Sequence, residues 1–112
     1  PHDIALGDLN GDGLLDVVAS EKGDVTDDFE AHTCIFINTS QNQSFSFDAP
    51  IIIPGDGYEA FVQVQDINGD GKLDIVTSRQ TYNQLGIYFS LILNQIHLPA
   101  LLFLLKNYLI FV

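Results

Sequence analysis

The sequence predicts an all-β fold of repeated four-stranded antiparallel sheets. Three observations predict it. A nine-residue loop at 8–16 returns at 66–74, short β-branched runs flank both copies, and the 58-residue spacing holds four short strands with their turns.

The loop sets the chemistry. Asp8, Asn10, Asp12 and Asp16 recur as Asp66, Asn68, Asp70 and Asp74, with both glycines of each copy in register. Side-chain oxygens at the first, third, fifth and ninth positions, with the backbone carbonyl of Leu14 or Lys72 at the seventh, suit a hard cation. Calcium, which takes six to eight oxygens in a flexible shell, is the expected ion, one for each loop. At the sixth position the chain must double back so that the ninth residue reaches the same ion, and Gly13 and Gly71 enter left-handed conformations without a Cβ clash. Three carboxylates converging on one point repel, so the ion is expected to stabilise the folded loop by linkage.

An EF-hand would use the same oxygens but needs Glu at the twelfth position and a helix on each side. Ala19 and Thr77 stand there, and 15–19 and 73–77 read as buried strands. The loop therefore joins two strands.

Taken in order, Ile4-Ala5-Leu6 leads into the first loop and 15–19 leads out. Residues 21–30 are acidic and polar and read as an exposed connection; Asp24, Asp27, Asp28 and Glu30 match no ligand spacing and are taken as a solvated surface. Residues 33–37 form a third strand, 38–44 a polar turn, and Phe45-Ser46-Phe47 alternates as a half-buried fourth strand should. Pro50 and 54–57 punctuate the chain. The second unit opens at 60–64, passes through its loop, connects over 79–85 and places Ile87-Tyr88-Phe89 where Cys34-Ile35-Phe36 stood. The expected divisions are 1–57 for the first repeat, 58–90 for a second, incomplete one, and 91–112 for an apolar tail.

The tail carries Leu98, Leu101, Leu102, Phe103, Leu104 and Leu105 close together. A membrane helix wants about 20 mostly apolar residues, and this stretch has the length but is interrupted by Asn94, Gln95, His97, Pro99, Lys106 and Asn107. A membrane anchor, a short helix starting near Pro99 and packing on the sheet, and a non-native end all remain open readings.

Composition bounds the function. The 112 residues suit one domain, and the net charge of -11 includes six loop carboxylates; two calcium ions would offset four charges. Four Lys and Arg make no basic stripe, which excludes nucleic-acid binding. Cys34 is the single cysteine, so it gives no internal disulfide. His32 and Cys34, two apart, are too few for a zinc site and are taken as ordinary strand residues. His2, His32, His97, Arg79 and Tyr82 are the sparse candidates for catalysis, and no catalytic set is assigned. Asn38 and Asn42 both fit the glycosylation acceptor pattern.

The strand at 4–6, the loop through Ser20, the strands at 34–38 and 45–47, and the returning 62–78 together resemble the FG-GAP/VCBS repeats of integrin-α-like β-propellers, over about residues 1–90. The resemblance implies that each repeat makes one blade and that several blades close a ring. It implies calcium ligands at Asp8, Asn10, Asp12, Leu14, Asp16, Asp66, Asn68, Asp70, Lys72 and Asp74. With fewer than two complete repeats, partial propeller blades are expected, their open faces covered by further blades of a parent chain, another chain or the apolar tail. The expected role is a calcium-stabilised binding or adhesion segment, extracellular or on the cell surface, with calcium structural and a protein or glycan ligand held elsewhere. The alternatives are part of a calcium-bearing propeller enzyme acting on polysaccharide, and a scaffold tethered to a membrane by the tail.

Overall fold

The computed structural model describes residues 2–21, 32–54, 59–79, 84–88 and 107–111. Those residues are all-β. Strands β1 (Asp3–Gly7), β2 (Asp16–Glu21), β3 (His32–Phe36) and β4 (Ile51–Pro54) form one antiparallel sheet in chain order. Strands β5 (Glu59–Gln65), β6 (Asp74–Arg79), β7 (Gln84–Tyr88) and β8 (Asn107–Phe111) form a second with the same topology. Each loop joins the first two strands of its sheet. Gly7 pairs with Asp16 at the base of one, and Gln65 with Asp74 at the base of the other.

Alternation along the strands decides what is buried. Val18 pairs with Ile35, which pairs with Ile51, and this row of β-branched residues faces the second sheet. Leu9, Val18, Ile35, Ile37, Ile53, Val62 and Ile75 make the buried core, with Ala5, Ile51, Val64 and Leu73 packed against it. Strand β5 lies across β1 and β2. The Val62 N–H donates to Asp3 Oδ2 at 3.0 Å, so one bond to a carboxylate also links the sheets.

The approach is closest at Gly7. A Cβ there would lie 2.8 Å from Val64 Cγ1 and 2.9 Å from Leu73 Cδ1. Alanine at a compatible strand position ordinarily gains about 0.4–1 kcal/mol by restricting the unfolded chain, whereas overpacking a core costs about 1–3 kcal/mol. Val64 is stiff at χ1 and cannot swing away freely, so overpacking wins. Gly7→Ala is expected to lower stability by about 1–2 kcal/mol in denaturant unfolding.

Two expectations are corrected. The fourth strand of the first sheet is Ile51–Pro54, not 45–47. Residues 38–47 instead fold on themselves, with bridges Asn38–Phe47 and Gln41–Ser44, a Thr39 N–H bond to the Ser46 carbonyl at 2.8 Å, and a turn in which Asn42 (φ 49°) and Gln43 (φ 67°) are left-handed. This hairpin spends its own backbone groups on itself and leaves Phe45 90 % exposed. The β3 edge is thereby open to the Ile51-Ile52-Ile53 run, whose Ile53 is buried. Pro54 is tolerated because β4 lies at the sheet edge. In the tail, the helix reading fails over Asn107–Phe111, which is a strand paired antiparallel with β7 and brings the second sheet to four strands. A strand there satisfies the edge of β7 that a helix would leave unpaired.

No helix among the described residues is long and apolar enough to cross a membrane. The acidic connection at 22–31, Tyr82, His97 and the rest of the tail lie outside the described residues.

Candidate metal centre

Both loops are built on the carboxylate at their first position. Asp8 Oδ1 accepts the Gly11 and Asp12 N–H groups at 2.8 and 3.1 Å, and Oδ2 accepts that of Gly13 at 2.8 Å. Asp66 repeats this with Gly69, Asp70 and Gly71 at 2.8, 3.2 and 2.8 Å. Such a ring of N–H donors around one carboxylate requires the chain to curl tightly. Gly13 (φ 87°) and Gly71 (φ 84°) supply the left-handed turn. Space is not the reason for glycine at either position, since a Cβ would meet nothing within 4 Å.

The remaining oxygens are set by the same frame. Asn10 Oδ1 accepts the Asp12 N–H at 3.1 Å, as Asn68 Oδ1 accepts that of Asp70 at 3.2 Å. Asp12 Oδ1 accepts from Leu14 N–H and Asp70 Oδ1 from Lys72 N–H, at 2.8 and 2.9 Å. The Asn10 amide also donates to Asp12 Oδ2 at 3.1 Å. Leu14 and Lys72 are thus held with their carbonyls at corresponding places in the two loops.

Asp16 and Asp74 differ from the others because they are fully buried. Asp16 Oδ2 accepts the Leu9 N–H at 2.7 Å and Asp74 Oδ2 that of Ile67 at 3.0 Å, closing each loop from below. Asp16 Oδ1 takes the Asn38 N–H at 2.8 Å. Burial pushes the Asp16 carboxyl above its usual pKa, with the Asp12 and Asp8 charges adding to the rise and the Asn38 and Leu9 N–H groups opposing it. The buried Asp16 carboxylate therefore feels the charges of Asp12 and Asp8.

Asn38 is a residue the sequence places at the junction of a strand and a polar turn and as a glycosylation acceptor, with no part in the loop. Its Nδ2 donates to the Leu15 carbonyl at 2.9 Å and its Oδ1 accepts the Ser40 N–H at 2.9 Å, so it fastens the 38–47 hairpin to the end of the first loop. A polar residue directly after a strand was the only signal for it.

The donor chemistry fits a calcium ion. Every side-chain donor is oxygen, and a carboxylate that accepts N–H bonds keeps further lone pairs. The side chains are turned onto their own backbone N–H groups, and no set of three or more His, Cys, Asp or Glu among the described residues is gathered as a metal cluster. Elsewhere, Cys34 is buried, and burial followed by the Glu21 charge pushes its thiol pKa up, which suits an inert core residue.

A family model described as an FG-GAP-like repeat matches residues 8–77, more than half of the chain. The match opens at the first loop carboxylate and runs through the second loop into β6. No curated protein matches the chain, and no solved structure does.

Proposed function

From the premise that the chain belongs to the FG-GAP-like repeat family and is a propeller-type repeat segment, we propose that it is a calcium-stabilised part of a secreted or surface-exposed binding or adhesion protein. The observation that carries this reading is the duplicated loop: the same oxygens and the same hydrogen-bond frame stand at equivalent places in two sheets. Asp8, Asn10, Asp12, Asp16 and the Leu14 carbonyl would hold one ion. Asp66, Asn68, Asp70, Asp74 and the Lys72 carbonyl would hold the other.

Calcium, when bound, supplies positive charge that offsets the loop carboxylates. The chain's own residues do the rest. The left-handed Gly13 and Gly71 turns would let the first and ninth carboxylates reach one ion, and Asn38 fastens the end of the first loop through its bond to the Leu15 carbonyl. The role proposed for the ion is structural, with catalysis assigned to no residue of this segment. Further blades of a parent chain are the proposed partners, and a protein or glycan the proposed ligand.

Calorimetric titration of the purified chain with calcium tests this directly. Two sites are expected. A chain that is folded in chelator and binds no calcium would remove the metal from the reading and leave only the repeat scaffold.

A further inference from the structure

Two glycosylation acceptor patterns lie close together, Asn38-Thr39-Ser40 and Asn42-Gln43-Ser44. Each offers the same chemistry, an amide nitrogen with a hydroxyl two residues on. The fold treats them differently. Asn38 is half-buried, its Nδ2 donates to the Leu15 carbonyl at 2.9 Å, and its Oδ1 accepts the Ser40 N–H. The Ser40 hydroxyl is spent as well: it accepts the Ser46 N–H at 3.0 Å and donates to the Ser46 carbonyl at 3.4 Å. A bulky group on Asn38 would push into the end of the first loop and break the bond that ties the hairpin to it.

Asn42 stands at the hairpin tip. Gln41 and Ser44 close the turn with backbone bonds of 3.1 and 2.9 Å, and Asn42 (φ 49°) and Gln43 (φ 67°) are the left-handed residues between them. Asparagine is among the residues this turn prefers, so a substituent on its side chain leaves the backbone as it is. Asn42 and Ser44 are exposed, and among the described residues no hydrogen bond engages the Asn42 amide or the Ser44 hydroxyl. The tip also borders an open hollow of about 500 Å³, lined by Leu14 and residues 40–45. Its apolar walls are Leu14 and the phenyl of Phe45, which is 90 % exposed, and no charged side chain lines it.

We propose that Asn42 is the acceptor of an N-linked glycan, that Asn38 is not, and that the first sugar lies in this hollow against Phe45. The proposal rests on the secreted reading above, because the donor, an oligosaccharide carried on a lipid pyrophosphate, is met outside the cytoplasm. Asn42 Nδ2 bonds to the anomeric carbon of the donor, the bond from that carbon to the pyrophosphate oxygen breaks, the lipid pyrophosphate leaves, and the amide gives up one proton. The C–H face of the sugar takes the phenyl ring out of water while its hydroxyls stay wet. Leu15 and Asp16, which hold Asn38, precede it in the chain, so the choice between the two acceptors can be made during synthesis.

The test fuses a signal peptide to the full chain and expresses it in a eukaryotic cell that glycosylates its secreted proteins. Mass spectrometry reads occupancy on the intracellular and the secreted chain alike. A glycan at Asn42 and none at Asn38 is expected, and Asn42→Gln should carry no glycan. A bare Asn42 in both fractions overturns the proposal, as does a glycan at Asn38 in either. Because the signal peptide is supplied, these outcomes speak for the acceptor alone; failure of the secreted reading would show instead as a parent chain that fractionates with the cytoplasm of its own cell. Thermal melts of the chain trimmed by an endoglycosidase to a single sugar test the contact. That sugar should raise the melting temperature above that of the Asn42→Gln chain, and Phe45→Ala should abolish the rise. No rise in the wild-type chain, or an equal one with Phe45→Ala, overturns the placement of the sugar.

Discussion

Asp16→Ala is expected to lower stability in calcium-free buffer by roughly 2–4 kcal/mol, the largest loss of any loop substitution. The carboxylate is fully buried and holds two backbone N–H groups, Leu9 and Asn38. Leaving a buried donor unsatisfied costs about 1–3 kcal/mol, and alanine leaves two. Relief of the carboxylate's own desolvation and of repulsion by Asp12 and Asp8 offsets part of the loss. Asp16→Asn keeps one acceptor and sets an amide N–H against the other donor, so about half the penalty should remain. Equilibrium denaturation in chelator checks both. A loss for Asp16→Ala no larger than that for exposed Asp12→Ala would show that the two N–H bonds contribute little.

The pH dependence follows from the direction of the shift. The folded carboxyl has a pKa above its ordinary 3.8, so the folded chain binds this proton more tightly than the unfolded chain. Its stabilising contribution is complete below 3.8 and is lost as pH rises through the raised value. Asp16→Asn should remove that slope, and the difference between the wild-type and variant curves isolates it from the other carboxylates.

How much of this was legible in the sequence depends on how local each decision is. The loops were legible because their oxygens and glycines are spaced along the chain itself. The strands that enter and leave them were legible because β-branched runs flank those loops. The fourth strand was not. Both 45–47 and 51–53 suit a strand, and the choice rests on which one reaches the edge of β3 once the 38–47 hairpin has closed. That hairpin turns on Asn42 and Gln43 without the glycine that usually marks such a turn. The tail stayed open among three readings because its composition decides none of them, and the strand at Asn107–Phe111 is set by the unpaired edge of β7, a partner no local pattern announces. Asn38 looked like a surface acceptor because its partner, Leu15, is 23 residues away.

Removing calcium is expected to have an effect as large as the loss of Asp16 but with a different signature. For the proposed sites, ligand at a hundredfold excess over its dissociation constant stabilises by about 2.7 kcal/mol per site, so two loops together give roughly 5 kcal/mol. Total stability of a domain is about 5–15 kcal/mol, so a chelator should remove a large part of it and lower the melting temperature markedly. Asp12→Ala separates the metal from the scaffold. The Asp12 side chain is exposed and bonds only to Leu14 N–H and the Asn10 amide among the contacts that fix the loop. In chelator its loss should therefore change stability by less than about 1 kcal/mol. In calcium it should abolish about half of the ion's stabilisation, and Asp70→Ala should abolish the other half. Asp16→Ala, by contrast, lowers stability in both conditions because its two backbone donors need an acceptor whether or not an ion is present. If wild type and the Asp12→Ala/Asp70→Ala double variant melted alike in calcium and in chelator, the loops would be hydrogen-bonded turns that stabilise the sheets without any ion.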